Sequence, residues 1–232
     1  SGLFHTFINV ARFIIIVLPI GIWSFTILFC QAVSDQSISL DLLGKYAIVV
    51  LGANLIQGFL VLPILLKIKN ISPLKLFKSV YPAITTAFFS KSSSATLPLT
   101  MDCLIEKHKT PEDLTRFSLP ICTIINMNGC AAFIYTTVLF VALQSGFNFS
   151  MFDYIIWIFI ATIAAIGNAS VPMGCYFLSS ALLVGMGVPL KMMGLILPLY
   201  TFIDMVETAL NVWSDCCVTD MVAKDSAELV TT

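Results

Sequence analysis

The chain has 232 residues, 58% of them apolar and only 11% charged, with a net charge of −1 and a mean hydropathy of +0.97. Soluble domains carry about 25% charged residues, so this composition reads as an integral membrane protein and excludes an ordinary soluble domain. The near-neutral balance argues against nucleic acid as a partner.

No initiator Met and no signal peptide open the chain, which is expected to be the C-terminal part of something longer. Residues 13–30 are apolar and long enough to cross a bilayer of about 30 Å, with Pro19 and Gly21 as kink positions and Arg12 at one edge. After the polar loop SDQSISLD, residues 46–66 form a second span carrying Asn54 and Gln57, an amide pair expected to bond between helices. Lys67, Lys69, Lys75 and Lys78 then cluster on one side.

Residues 76–89 are too few to cross, and they run into the serine-rich stretch 90–98. A second short segment, 99–104, leads out into Glu106-Lys107-His108-Lys109. Basic residues on both flanks point to a re-entrant hairpin entering and leaving on the cytoplasmic side, its tip covered by protein or water.

Residues 117–143 make a third crossing, interrupted at Asn126-Met127-Asn128-Gly129-Cys130. Residues 154–190 then run uncharged. As one helix they would measure about 55 Å, too long for a single span. The break at 167–174 divides them into a second hairpin, expected to open outward because Lys191 is its only basic flank.

The last apolar stretch, 194–220, reads as a membrane helix with a polar stripe. Asp204, Glu207, Thr208, Asn211 and Asp215 share one face, with Leu199, Phe202, Met205, Leu210 and Val212 opposite. Each carboxylate at membrane depth costs about 2.5–3.5 kcal/mol, so the stripe must face a wet or paired interior. A solvated face of a soluble helix is the bland alternative, and the surrounding composition decides against it. The tail AKDSAELVTT is given no role. The seven cysteines lack CxxC spacing and are read as small buried apolar residues, not as a disulfide frame or metal site. His5 and His108 lie near span ends and supply no catalytic set.

Parity closes with the first span outward, the second inward, the first hairpin inside, the third span outward, the second hairpin outside and the last helix inward. Span plus hairpin over 46–104 mirrors span plus hairpin over 117–190. The fold expected is therefore all-α, an inverted-repeat secondary-transporter core with two re-entrant helical hairpins and broken helices.

The motifs KSSSATLP, NMNGC, IGNASVP and DMVETALNVWSD, in this order and spacing, resemble the dicarboxylate/amino acid:cation symporter family of glutamate, aspartate and neutral amino acid transporters. The resemblance covers essentially the whole chain and matches the family's C-terminal half. It implies a scaffold-type transmembrane helix and loop over 1–39 and a transport core over 40–232. Within the core fall a transmembrane helix, a cytoplasmic-side hairpin 71–105, a broken helix 114–145, an outer-side hairpin 152–190, a final helix 194–220 and a short tail.

The resemblance also implies roles. Asp204 takes the substrate's α-ammonium, while Thr208 and Asn211, with backbone N–H groups at Ser93 and Ser94, hold its α-carboxylate. Val171 and Gly174 close over the substrate. Asp215 with the carbonyls of Cys122, Asn126 and Asn211 resembles a sodium site. The implied setting is a multi-pass cytoplasmic or plasma membrane protein, a homotrimer, moving an amino acid or dicarboxylate with sodium or protons as coupling ion and no other cofactor.

Departures bear on specificity. Glu207 stands where acidic-substrate members carry arginine, and Cys130 where they carry threonine, so an acidic substrate is not expected. Lys91 either substitutes in part for the arginine or neutralises Asp204 or Glu207. Asn128 replaces the aspartate of a second sodium site, and Ala165, Ser170 and Met173 replace small or hydroxyl residues around another, so fewer ions are expected. Two functions follow: a cation-coupled symporter of a neutral or otherwise non-acidic amino acid, or a truncated structural or regulatory paralogue that no longer transports. Retained Asp204, Asn211, Asp215 and the serine run favour the first.

Overall fold

The computed structural model describes residues 40–168, 170 and 173–231, together with scattered helical positions between 16 and 31. His5 and Arg12 lie outside the described residues, as does much of the expected 13–30 span within the 1–39 segment. Every regular element among the described residues is helical.

Helix α1 (Leu40–Ile68) contains a wide turn over Gln57–Val61, in which the Leu62 N–H reaches back five residues to the Gln57 carbonyl. Pro63 follows at once; it has no N–H for the carbonyl four residues earlier, and a wide turn is a common way to absorb that loss. The Gly58 carbonyl in this turn accepts from the Trp213 indole at 3.0 Å. Asn54 does not bond between helices as expected. Its Nδ2 donates to the Val50 carbonyl of its own helix at 3.0 Å, and its buried Oδ1 has no partner.

Helices α2 (Pro73–Ser90) and α3 (Ser93–Asp102) form the first hairpin, and α3 continues as a wide turn over Cys103–His108. The break is shorter than the expected 90–98, falling at Lys91 and Ser92. Lys91 adopts φ 53° and closes α2, while the Ser92 hydroxyl caps α3 by accepting from the Ala95 N–H at 3.2 Å. Serine serves a helix start as well as a loop, so the serine run opens α3. The two arms pack on each other, with Leu76, Val80, Ala83 and Ala87 in one apolar cluster with Cys103 and Leu104.

The third crossing consists of α4 (Glu112–Ile125) and α5 (Asn128–Gln144), separated only by Asn126 and Met127. Helices α6 (Met151–Gly167) and α7 (Gly174–Gly185) are the arms of the second hairpin. Unlike the first pair, both arms lie chiefly on α5 and much less on each other. Helix α8 (Lys191–Thr231) is longer than the expected 194–220. Its polar end folds onto the end of α1, where Lys69 pairs with Asp225 at 2.7 Å and Lys224 donates to the Asn70 carbonyl at 3.2 Å.

Among the described residues, three helices are long and apolar enough to cross a membrane: Leu40–Ile68, Glu112–Gln144 and Lys191–Leu229. Large apolar side chains such as Ile48, Phe59, Ile163 and Phe202 face outward, as a lipid-facing surface requires. Packing inside is organised as two apolar clusters. One gathers Tyr46, Phe133, Ile134, Trp157, Tyr176, Tyr200 and Ile203 around α5. The other gathers Leu66, Leu76, Leu119, Trp213 and Cys216 around α2 and the far half of α8. In lipid such clusters are held by close packing and not by water exclusion. Val212, expected on the outer face of α8, belongs to the second cluster. The polar stripe of α8 runs between the two.

Candidate functional site

All five stripe residues are buried: Asp204, Glu207, Thr208, Asn211 and Asp215. They meet the interruption between α4 and α5. Gly129 lets the helices approach this closely, since a Cβ there would sit 2.8 Å from Asn54 Oδ1 and 3.0 Å from Glu207 Cα. The Gly129 N–H, an otherwise unpaired donor at the start of α5, donates to Asn211 Oδ1 at 2.8 Å.

The far end of the stripe is an amide and hydroxyl network. Asn126 Nδ2 donates to Asp215 Oδ1 and to Ser214 Oγ, each at 3.0 Å, and Asn128 Nδ2 also donates to Ser214 Oγ. The Cys122 carbonyl accepts from the Asn126 N–H at 2.8 Å. Cys122, Asn126, Asn128 and Asp215 thus come together here; the Asn211 side chain is engaged with Gly129 through its Oδ1, which leaves the expected role of its backbone carbonyl untouched. One carboxylate with backbone carbonyl oxygens is a donor set that fits a hard monovalent cation, while Asn126 and Asn128 turn their Nδ2 groups to Asp215 and Ser214. Among the described residues Asp215 is in no ion pair, so no lysine or arginine competes for its charge.

At the near end, Tyr200 donates to Asp204 Oδ1 at 3.4 Å, and the Thr208 hydroxyl donates to the Asp204 carbonyl at 2.8 Å. Thr208 therefore has to rotate before it can donate to a ligand. Tyr200 is packed between Phe133 and Tyr176, at ring separations of 4.6 and 5.5 Å. Lys91 forms no ion pair with Asp204 or Glu207.

Glu207 lies in the middle, 1% exposed, and neither of its carboxylate oxygens has a hydrogen-bond partner. Around it stand the thiols of Cys130 and Cys175. Asn168 Nδ2 approaches both sulfurs, at 3.4 and 3.3 Å, and Asn211 Nδ2 approaches Cys130 at 3.4 Å. Gly174 is buried beneath Asn168, whose Oδ1 would collide with any side chain there. Val171, expected beside it, lies outside the described residues.

The two hairpins touch. Ser93 and Ser170 have hydroxyls 2.9 Å apart, and Ser170 Oγ donates to the Thr123 carbonyl at 2.6 Å. Ser93 is buried at this contact, whereas the Ser94 side chain is exposed. Both begin α3, so their N–H groups have no acceptor within the helix.

Sequence reasoning gave no role to Asn168, Cys175, Tyr200 or Ser214. Ser214 and Tyr200 were findable, one residue before Asp215 and one helical turn before Asp204. Asn168 and Cys175 act across helices, and no spacing in the chain announces them. An open cleft of about 440 Å³ lies elsewhere, bordered by Lys75, His108, Lys109 and Asp220, and contains none of these groups.

Residues 1–225 match the sodium:dicarboxylate symporter family. Neutral amino acid transporter B(0) of Rattus norvegicus is 35% identical over 176 residues, which is 75% of this chain and 31% of that protein. An excitatory amino acid transporter of Caenorhabditis elegans is 31% identical over 200 residues, 85% of this chain and 39% of its own length. For excitatory amino acid transporter 1 of Ambystoma tigrinum the values are 31% over 198 residues, 85% and 36%. The chain spans about a third to two-fifths of the length of these relatives. With all but its last few residues matched, the chain belongs to the sodium:dicarboxylate symporter family, a family of carriers and not of enzymes.

Proposed function

We propose that this chain holds the substrate- and ion-handling core of a sodium-coupled amino acid symporter whose substrate is not acidic. The observation that carries the reading is the stripe of three buried carboxylates on α8, none in an ion pair among the described residues, facing a helix break and two hairpin tips. Unpaired carboxylates at membrane depth are expensive, and exchangeable cations are what such groups can meet. Asp204 receives the α-ammonium as a charge-assisted hydrogen bond. The N–H groups of Ser93 and Ser94, at a helix start, receive the α-carboxylate together with Thr208 and Asn211. Val171 and Gly174 close the second hairpin over it.

Asp215, the carbonyls of Cys122, Asn126 and Asn211, and the Asn128 side chain hold sodium. Glu207 and Cys130 surround the substrate's side chain. A second carboxylate in the ligand would be repelled there, which supports neutral or cationic side chains and disfavours glutamate and aspartate. Protons join sodium as coupling ions if Glu207 takes one during the cycle. The hairpins 71–105 and 152–190 enter from opposite faces of a cytoplasmic or plasma membrane. Residues 1–39 belong to the scaffold of a homotrimer, and the core runs over 40–232.

The test is uptake into proteoliposomes of labelled neutral, basic and acidic amino acids and dicarboxylates, with and without an inward sodium gradient. Sodium-driven uptake of a neutral or basic amino acid is expected. Uptake confined to dicarboxylates, or indifferent to sodium, overturns the reading.

A further inference from the structure

Cys130 on α5, Cys175 on α7 and Glu207 on α8 reach the same point from three helices, and their ligand atoms all lie within 4.8 Å of one another. All three side chains are buried. Two sulfurs and a carboxylate are the donor types of soft or borderline divalent ions, zinc above all, and sulfur is a poor ligand for sodium. A tetrahedral zinc ion has sulfur at about 2.3 Å and carboxylate oxygen at about 2.0–2.2 Å, so this triad needs only a modest contraction to close on one.

A second, independent observation points to a ligand. Both oxygens of Glu207 and Oδ1 of Asn168 are buried without a hydrogen-bond partner. Buried polar atoms are nearly always paired, yet three acceptor oxygens beside two thiols are left here without a donor of their own. An ion supplies what all of them lack. Asn168 turns its Nδ2 toward both sulfurs; rotating that amide by half a turn presents Oδ1 instead and completes a four-ligand set. The same rotation is compatible with Gly174, whose missing side chain leaves Asn168 its room.

We infer that Cys130, Cys175 and Glu207, with Asn168 as fourth ligand, form a binding site for a zinc-class divalent cation that clamps α5, α7 and α8 together. Among the described residues no other group offers three such donors at this separation. Binding drives the thiols to thiolates and releases their protons. The consequence for transport rests on the function proposed above: an ion here fills the space given to the substrate's side chain and blocks uptake.

Cobalt(II) tests the site directly, because thiolate ligation gives it intense near-ultraviolet charge-transfer absorption. The purified chain in detergent, kept reduced with a phosphine, is titrated with cobalt, desalted and assayed for retained metal. About one tightly held ion per chain with thiolate bands, displaced by zinc, is expected, as for a four-ligand site with two thiolates. Cys130→Ser and Cys175→Ser should each weaken the bands and Cys130→Ser/Cys175→Ser abolish them. Glu207→Gln should keep the bands but lower affinity at least tenfold, since even outer-shell partners of a metal are worth about tenfold or more. Cys216→Ser should bind like the parent. No bands in the parent, or bands that persist in the double variant, overturn the inference, and neither result depends on whether uptake occurs. If the bands form while saturating zinc leaves uptake untouched, the inferred block is wrong.

Discussion

Ser93 and Ser170 are 77 residues apart in sequence, yet their hydroxyls are 2.9 Å apart. Since Ser170 spends its proton on the Thr123 carbonyl, Ser93 is the donor in this pair. One hydrogen bond thus joins the tips of both hairpins and anchors them to α4, one turn before the helix break. The contact is worth about 0.5–1.5 kcal/mol, small enough to open and close during a transport cycle. Ser93→Cys/Ser170→Cys should form a disulfide under mild oxidation, detectable as a linked peptide by mass spectrometry. If no linked peptide appears under any condition, the tips do not meet.

Asp204→Asn should abolish amino acid uptake while leaving the protein folded. It removes the charge proposed for the α-ammonium, a loss of about 2–5 kcal/mol if the pair is desolvated. Uptake kinetics and size-exclusion behaviour check the two halves of this expectation. Unchanged affinity would remove Asp204 from the site.

Asp215→Asn should weaken sodium dependence more than substrate recognition. Asp215 touches the break through Asn126, not through the Asp204 end of the stripe. Asn126→Ala should act in the same direction but less, because the carboxylate remains and only its orientation is lost. Sodium titrations of uptake at fixed substrate distinguish the pair. Equal sodium affinity in parent and Asp215→Asn sinks the assignment.

The stripe on α8 was legible from sequence because helical periodicity places 204, 207, 208, 211 and 215 on one face, and an apolar setting leaves them only an interior to face. The interruption at Asn126 was legible for a similar reason: amides and glycine inside an apolar run. The serine run misled, since Ser92 to Ser94 describe a loop and a helix start equally well. The tail was given no role, and nothing in its polarity announces that Asp225 pairs with Lys69. Asn168 and Cys175 were out of reach. Their significance comes only from standing across from Glu207 and Cys130, a relation set by how α7 and α8 pack on α5.

Helix α6 begins with a reciprocal cap. The Asp153 carboxylate accepts from the Ser150 N–H at 2.7 Å and from its hydroxyl at 2.8 Å, and Ser150 Oγ accepts from the Asp153 N–H at 3.3 Å. The hydroxyl bond first, then the N–H bond, hold the Asp153 carboxyl below its usual pKa. A lowered pKa in the folded state means stability that is present above the unfolded value of about 3.9 and lost as pH falls through the folded value. Thermal unfolding in detergent should therefore show the parent losing stability on acidification relative to Asp153→Asn, whose cap does not titrate. At neutral pH, Ser150→Ala should cost about 1 kcal/mol. Parallel curves for parent and Asp153→Asn down to the acid limit would show that the cap carries no stability.

Glu207 is where the resemblance implied the largest departure from acidic-substrate carriers, and its surroundings narrow what it can do. The site holds Asp204, Glu207 and Asp215 against Lys91, a formal net of −2. The sodium proposed at Asp215 would remove one charge. A static pair with Lys91 would remove the other, but Lys91 and Glu207 are not paired. A buried carboxylate with both oxygens unpartnered must meet a proton or a cation. If it meets a proton, Glu207→Gln should still bind substrate while its transport loses pH dependence. If it meets a cationic side chain, Glu207→Gln should lose basic substrates and keep neutral ones, with a loss of about 2–5 kcal/mol for the basic class. Glu207→Arg should recover some affinity for acidic substrates, limited by Cys130 and by the crowding of Cys175 and Asn168. Uptake panels at two pH values separate these outcomes. Should both variants keep the parent's substrates and pH profile, Glu207 has no part in recognition or coupling.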